Sequence, residues 1–269
     1  PLLVRSGASM VPTVAGLRMI EPAADILRSA EVLFSDARAF DPATARHTFS
    51  LAASDYLDPL FLPQLVTQIK ALAPNCGIDI HPLSADADYR AHLAQGHVDV
   101  VIGNWPKPPG DLHLGRLFGD EVVSLVASHH PAVRRGWDVE AWLGAEHIAP
   151  TPTHPGARGF IDDHLATLGM VRNITARCPH FGLIPAMVAG SLLVLTTGRQ
   201  YCERFTSVLP VQVLPCPVPF PRMMYYQLWH ERTHASNAGR WLREQIKGVA
   251  ASLRRPDDDA ARTPQEENP

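Results

Sequence analysis

The chain has almost no surplus of charge of either sign. Its 269 residues carry 24 Lys and Arg against 27 Asp and Glu, a formal net charge of −3. A chain whose main task is gripping phosphates needs a basic face, so direct nucleic-acid binding by these residues is disfavoured. Cysteine is scarce. The four residues (Cys76, Cys178, Cys202, Cys216) are scattered without any CxxC spacing, which points to neither a zinc knuckle nor a disulfide framework. No run of about 18 apolar residues exists, so no transmembrane helix and no membrane partner are expected. A basic segment followed by an apolar one is missing from the first residues, so no secretory signal is visible and a cytoplasmic location is expected. An initiator methionine is also missing: the chain starts at Pro1, in mid-phrase, and reads as a fragment of something longer.

Chemical signatures are absent as well. There is no GxGxxG after a strand and no GxxxxGK[ST], and neither HExxH nor GxSxG occurs. No nucleotide cofactor and no enzyme activity are expected. Thirteen histidines invite a metal hypothesis, but His92 and His97 lie five apart, off the helical spacing that would aim both at one ion. His129-His130 stands beside Pro131 and reads as a chain reversal. No metal site is expected.

What is present is a sizeable apolar fraction, 46% of residues. The length fits one large or two ordinary domains, and the composition can bury a real core. Leu2 to Val4 reads as a short strand before a turn at Gly7 to Ser9, with Pro12 suited to the first turn of a helix. From Thr13 to about Asp36, Leu17, Ile20, Ala24, Leu27, Ala30 and Phe34 recur at spacings of three and four, one stripe on a helix. Pro22 is an objection, because an interior proline removes a ladder hydrogen bond. The stripe either packs on its own domain or forms a dimer seam, and the seam is the favoured reading.

Ala39 to Arg46 reads as a linker, and a βα rhythm follows it. Strands are expected at His47–Ala53, Gly77–Pro82, Val98–Gly103, Glu121–Ser128, His147–Ala149, Ile174–Cys178, Leu192–Thr196, Val211–Leu214 and Met223–Trp229. Helices fall between them: Asp58-Pro59 caps one running to Leu72, and others cover Asp86–Gln95, Val139–Leu143, Phe160–Leu168, Gly182–Ala189 and Ala235–Leu253. The tail from Arg254 is charged and expected to be disordered. Alternating strands and helices imply parallel sheets covered on both faces. Two such sets, joined near residues 125 and 226, imply two lobes with a cleft between them, where α/β sheets bind ligands.

Several residues sit at junctions facing that cleft. Ser54-Asp55-Tyr56 ends the first strand just before a helix start, where free N–H groups favour an anion, although Ser and Asp serve equally as N-caps. Asn104-Trp105 follows the apolar third strand and either lines the cleft or closes the core edge. His180 stands between a strand and a helix. Arg158, in the Pro/Gly-rich loop Thr151–Gly159, either forks to a carboxylate or is solvated. Tyr225 and Tyr226 alternate, so one of them faces the interior. A hydroxyl, a helix N-terminus, an imidazole, an arginine and aromatic rings together suit a small aromatic acid.

At the level of ordered motifs the chain resembles LysR-type transcriptional regulators. "PLLVRSGASMVPTVAGLRMIEPA" is similar to the end of their winged helix-turn-helix and the start of their linker helix. Regulators of the salicylate- and nitroaromatic-responsive branch carry a similar "EP" step, which accommodates Pro22. "FSLAASDY", "LAPNCGIDI", "LAQGHVDVVIG", "VSLVASHHP", "RCPHFGLIPAMVAG" and "YYQLWHERTHASNAGRWLREQI" continue the match to about Leu253. The resemblance implies an α/β fold of two Rossmann-like subdomains of periplasmic-binding-protein type, joined by two crossover strands and preceded by a dimerisation helix. It divides the chain into a wing remnant (1–11), the linker helix (12–38), subdomain I (47–125 and 226–253), subdomain II (126–225) and a tail (254–269). It implies a homodimer or homotetramer on promoter DNA, contacted only through a winged helix-turn-helix lying before Pro1. A small aromatic carboxylate-like effector would bind Ser54, Asp55, Asn104, Trp105, Arg158, His180 and Tyr226. Leu17, Ile20, Ala24, Leu27 and Phe34 would form the dimer seam. His180 matches the histidine of the branch's "PHF" motif. Arg158 stands where that branch often has a second histidine, a departure that still suits an anion. Gly198 in "LTTGRQ" replaces the usual proline. A periplasmic-type solute-binding protein for aromatic acids is the alternative.

Overall fold

The computed structural model describes residues 1–35, 40–83, 88–152 and 158–253, with the side chains of residues 30–35 excepted. The expected start of a helix at Asp86, the centre of the loop before Arg158, the side chain of Phe34 and the tail lie outside the described residues.

The chain opens on a hairpin, β1 (Leu3–Ser6) and β2 (Ser9–Pro12). Its two-residue turn is made by Gly7 at φ 64°, the positive φ that matches strand twist in such turns. Pro12 therefore ends a strand instead of opening the helix. Thr13 caps helix α1 (Val14–Ser35) by accepting the Gly16 N–H at 3.1 Å. The helix runs straight through Pro22. The carbonyl that the proline leaves unpartnered belongs to the exposed turn at Arg18, where water can satisfy it.

The elements of the first half are β3 (Thr48–Ala53), α2 (Phe61–Leu72), β4 (Gly77–Pro82), α3 (Tyr89–Gln95), β5 (Val100–Asn104) and β6 (His113–Asp120). Then come β7 (Val122–Ala127), α4 (Ala132–Arg135), α5 (Val139–Gly144), β8 (His147–Pro150), α6 (Phe160–Thr167) and β9 (Ile174–Cys178). A 3-10 turn at Phe181–Leu183 leads into α7 (Ile184–Ala189), β10 (Val194–Gly198), α8 (Arg199–Glu203) and β11 (Val211–Pro215). The chain returns through β12 (Met223–Trp229), α9 (Glu231–His234) and α10 (Asn237–Ser252).

Two five-stranded sheets result, ordered β4-β3-β5-β12-β6 and β11-β7-β10-β8-β9. Neither is wholly parallel. β12 runs antiparallel to β5 and β6, and β7 antiparallel to β10 and β11. Each of these strands enters its sheet from the other half of the molecule, which reverses its direction relative to strands delivered by βα units. The chain changes sheets at Glu121 and again between Pro215 and Met223. The subdomain boundaries expected after residues 125 and 225 thus fall inside β7 and β12.

Helices α2 and α10 cover one face of the first sheet, where Phe61, Leu65, Ile69, Leu242 and Ile246 are fully buried. Each such side chain contributes about 1.5–3 kcal/mol. Leu93 of α3 closes the other face with Val101 and Leu228. In the second sheet α7 and α8 pack Ile184, Val188, Tyr201 and Cys202 on Leu125 and Leu195. Phe118, Val122 and Val218 continue the core through the crossovers. Asp58 does not cap α2 directly: it closes the preceding turn by accepting the Leu60 N–H at 2.9 Å, and the helix begins at Phe61. The expected terminal helix divides in two, because Ser236 accepts the Gly239 N–H at 3.2 Å and starts α10 afresh.

Candidate functional site

The loop after β3 meets the turn before α7 across the gap between the sheets. Ser54 is buried, its N–H donates to Ile102 O at 2.9 Å, and its hydroxyl accepts the Tyr56 N–H at 3.3 Å. That tight turn sends the Tyr56 ring edge-on into Phe181, with centroids 4.7 Å apart. Both rings are held from behind. Tyr225 donates its hydroxyl to Tyr56 O at 3.2 Å, and Tyr201 donates to Phe181 O at 2.9 Å. Burial raises both phenols above their ordinary range, so they remain protonated donors.

Asp55 lies at the mouth of this contact. It is open to solvent on one side, yet crowding on the other raises its carboxyl above the usual value, opposed by the Phe181 N–H and the charge of His180. His180 is exposed, and its own carbonyl accepts the Leu183 N–H at 3.0 Å as the helical run begins. The mouth therefore joins a carboxylate, an imidazole and the half-buried Tyr56 ring, which packs on the buried Phe181. These are groups that orient an acidic ring compound.

Deeper in the hinge, Asp58 and Arg204 join the halves. The guanidinium Nε lies 3.1 and 2.9 Å from the two carboxylate oxygens, and Nη2 lies 2.8 Å from one of them. Beside them, the buried Asp120 accepts the N–H groups of Glu121 (2.8 Å) and Gln200 (3.1 Å), capping α8. A Cβ at Gly198 would overlap Asp120 Oδ2. Glycine at this position lets the aspartate approach, which accounts for the departure from proline in "LTTGRQ". A cavity of about 560 Å³ opens beside this pair, lined by Asp58, Arg199, Gln200, Glu203, Arg204 and Thr206 among others. None of the seven expected effector residues borders it. Its arginines are already matched, Arg199 to Glu121 and Glu203 and Arg204 to Asp58, so it offers no spare cation to an acid.

Of the seven expected residues, the structure brings Ser54, Asp55 and His180 to one place. Asn104 is used structurally, its Nδ2 donating to Met224 O at 3.0 Å. Trp105 and Tyr226 belong to the apolar group with Leu83 and Tyr89 on the α3 side of the first sheet, and Trp105 lies 5.8 Å from the Tyr89 ring. Arg158 is exposed and has no ion pair among the described residues. Sequence reasoning overlooked Phe181 and Arg204, placed Tyr56 only at the end of the first strand, and read Asp58 as a helix cap. The run Ser54-Asp55-Tyr56 was a signal for Tyr56; nothing local marked Arg204 as the partner of Asp58. Among the described residues no group of three or more His, Cys, Asp or Glu could hold a metal, and no helix is long and apolar enough to cross a membrane.

Comparison with known proteins agrees with this architecture. The model of the LysR substrate binding domain matches residues 42–251. The HTH-type transcriptional activator NahR of Pseudomonas putida is 27% identical over 244 residues, 91% of this chain and 81% of NahR. The HTH-type transcriptional activator NagR of a Ralstonia species is 25% identical, over 90% of this chain and 80% of its own. Among solved structures, the transcriptional regulator PA0477 of Pseudomonas aeruginosa superposes with a TM-score of 0.80 at 24% identity, over 92% of this chain and 81% of its own. The regulatory domain of MexT from the same organism gives 0.66 at 19% identity, over 77% of this chain and all of its own. The chain belongs to the LysR substrate-binding domain family and is the effector-binding part of a LysR-type transcriptional regulator.

Proposed function

We propose that the cleft between the two sheets holds a small aromatic, anionic effector, with His180 facing its acidic group and Tyr56, backed by Phe181, facing its ring. The observation that carries this reading is the meeting of Asp55-Tyr56 with His180-Phe181 across the two halves. A ligand seated there touches both lobes and so favours one relative arrangement over another. It moves the equilibrium only as far as its affinities for the arrangements differ, and about 1–3 kcal/mol of coupling is ordinary. Arg158, exposed at the end of its loop, is the second candidate anchor for the acid. Asn104, Trp105 and Tyr226 support the first lobe's wall.

Helix α1 carries the change to a second copy of the chain. Leu17, Ile20 and Leu27 are 56%, 55% and 65% exposed, with Ala24 between them, and such a stripe suits a dimer seam with Phe34 at its end. The β1–β2 hairpin fits the wing of a winged helix-turn-helix, the element through which regulators of this type contact promoter DNA in the cytoplasm. The named relatives are HTH-type transcriptional activators, and a solute-binding role is not favoured by the family match. A thermal-shift screen of aromatic and heteroaromatic acids tests the proposal, because a ligand that prefers the native state raises its melting temperature. Stabilisation by acids but not by their amides is the expected result.

A further inference from the structure

Among the described residues, helix α1 is joined to the lobes by one polar contact. His97 Nε2 donates to Asp25 Oδ1 at 3.1 Å, across 72 residues of chain, and Arg28 pairs with the same carboxylate from one turn further along α1. Arg28 and His97 hold the Asp25 carboxyl below its ordinary range. No described side chain of α1 enters any of the three apolar clusters of the lobes. The Asp25 and His97 side chains are 50% and 37% exposed, so water screens the pair and the contact is weak.

The lobe fixes its own side of this contact. The His97 N–H donates to His92 O at 2.9 Å behind the left-handed Gly96, which ends α3, and the His97 carbonyl accepts the Ser50 hydroxyl at 2.8 Å. Ser50 belongs to β3, the strand that runs into the Ser54 turn of the cleft. The other charged or titratable groups around the contact are His92, whose ring centroid lies 5.8 Å from that of His97, Asp99, which accepts the Ser50 N–H at 2.8 Å, and Arg232 of α9, which donates to Gln95 O.

We infer that Asp25 and His97 form a breakable latch that holds α1 on the first lobe, so that the sensing half sets how the helix presents its apolar stripe to a second copy. This rests on α1 being the helix through which copies join. Asp25 stands one position beyond Ala24, off the stripe, so the closed latch leaves Leu17, Ile20 and Leu27 exposed while fixing the direction they face. No apolar surface is buried with the latch, and opening it breaks only a screened ion pair and frees α1 to turn against the lobe. A shift of β3 at the cleft moves Ser50, and with it the turn that carries His97, which gives the cleft a physical route to the helix.

The test is a pulsed electron-resonance distance measurement between spin labels at Met19→Cys on α1 and Ala94→Cys on α3. Half-buried Cys216 is replaced by serine, and labelled subunits are diluted with unlabelled ones so that each distance lies within one subunit. The native pair should give a single sharp distance. Asp25→Asn and His97→Gln should each lose it to a broad distribution, with the circular dichroism of the lobes unchanged. Asp25→Arg combined with His97→Asp rebuilds the pair with its charges exchanged and should restore the sharp distance. A broad distribution in the native chain, a sharp one kept by both single variants, or an exchanged pair as broad as the single variants overturns the latch. Sedimentation of the same samples reads the joining of copies separately: the single variants should remain dimers, because the stripe is untouched. A native chain that sediments as a monomer removes the role in presenting the stripe, whatever the distances show.

Discussion

Asp58 and Arg204 bind each other across the hinge, a buried carboxylate of the first half gripped by a guanidinium of the second at 2.8–3.1 Å. The carboxylate side chain is 1% exposed and the arginine 39%. The pair therefore ties the two halves together, with its acid dry and its base partly wet.

Among the described residues, removing the arginine leaves that acid with the Leu60 N–H as its remaining donor. Arg204→Ala is expected to cost about 1–3 kcal/mol, less than a fully buried pair because solvent screens the guanidinium. Asp58→Ala should cost less than Arg204→Ala, since it strands no buried charge. Urea unfolding of both single variants and of the double variant measures the coupling.

Gly198 answers to Asp120. Gly198→Ala should destabilise the chain by about 1–3 kcal/mol through overpacking against the aspartate. The same substitution in an Asp120→Ala background should cost clearly less, although Asp120→Ala alone removes the cap on α8. Equal costs in both backgrounds would show that the close approach of Asp120 does not constrain position 198.

His147 supplies a pH dependence far from the cleft. It is fully buried, its Nε2 donates to Trp142 O at 2.7 Å, and burial lowers its pKa from 6.5 to about 4. Below pH 6.5 the unfolded chain takes a proton that the folded chain refuses until about pH 4. Stability therefore falls through that window as pH drops, by up to about 3 kcal/mol. Chemical denaturation at stepped pH should show this slope in the native chain and a shallower one in His147→Gln.

The exposed stripe on α1 predicts self-association. Ile20→Glu with Leu27→Glu should convert a dimer into a monomer in sedimentation analysis, with the circular dichroism of the lobes unchanged. A native chain that sediments as a monomer at high concentration would remove the seam from the account.

Much of the fold was written in local pattern. Phe49 and Leu51 alternate on β3, the apolar run of β5 reads as a doubly covered strand, and the stripe of α10 predicts its burial. β6 escaped because Gly115 and Gly119 weaken its strand signal; both accept the side chains of the neighbouring β12, Gln227 and Met224, where a Cβ would stand. The short α8 has no periodicity to find, and its cap comes from Asp120, on the other side of the first crossover. The site divides in the same way. Ser54, Asp55 and His180 were legible because strand-to-helix junctions are local features. Asn104 and Trp105 are also at a strand end, and Tyr226 lies in the middle of β12, but a backbone carbonyl and the α3-side apolar group claim their side chains. Arg204 and Asp58 lie 146 residues apart, a pairing that only the closing of the two lobes creates.

The central claim is that an aromatic acid binds between Asp55-Tyr56 and His180-Phe181. It is tested most directly by the ligand-induced melting shift of the native chain beside those of His180→Ala and Tyr56→Ala. At a concentration 100 times its dissociation constant, an acid should stabilise the native chain by about 2.7 kcal/mol, a rise of roughly 5–10 °C. The account predicts that both variants lose most of that rise while still unfolding cooperatively. A full rise retained in both variants would contradict it and place the effector elsewhere.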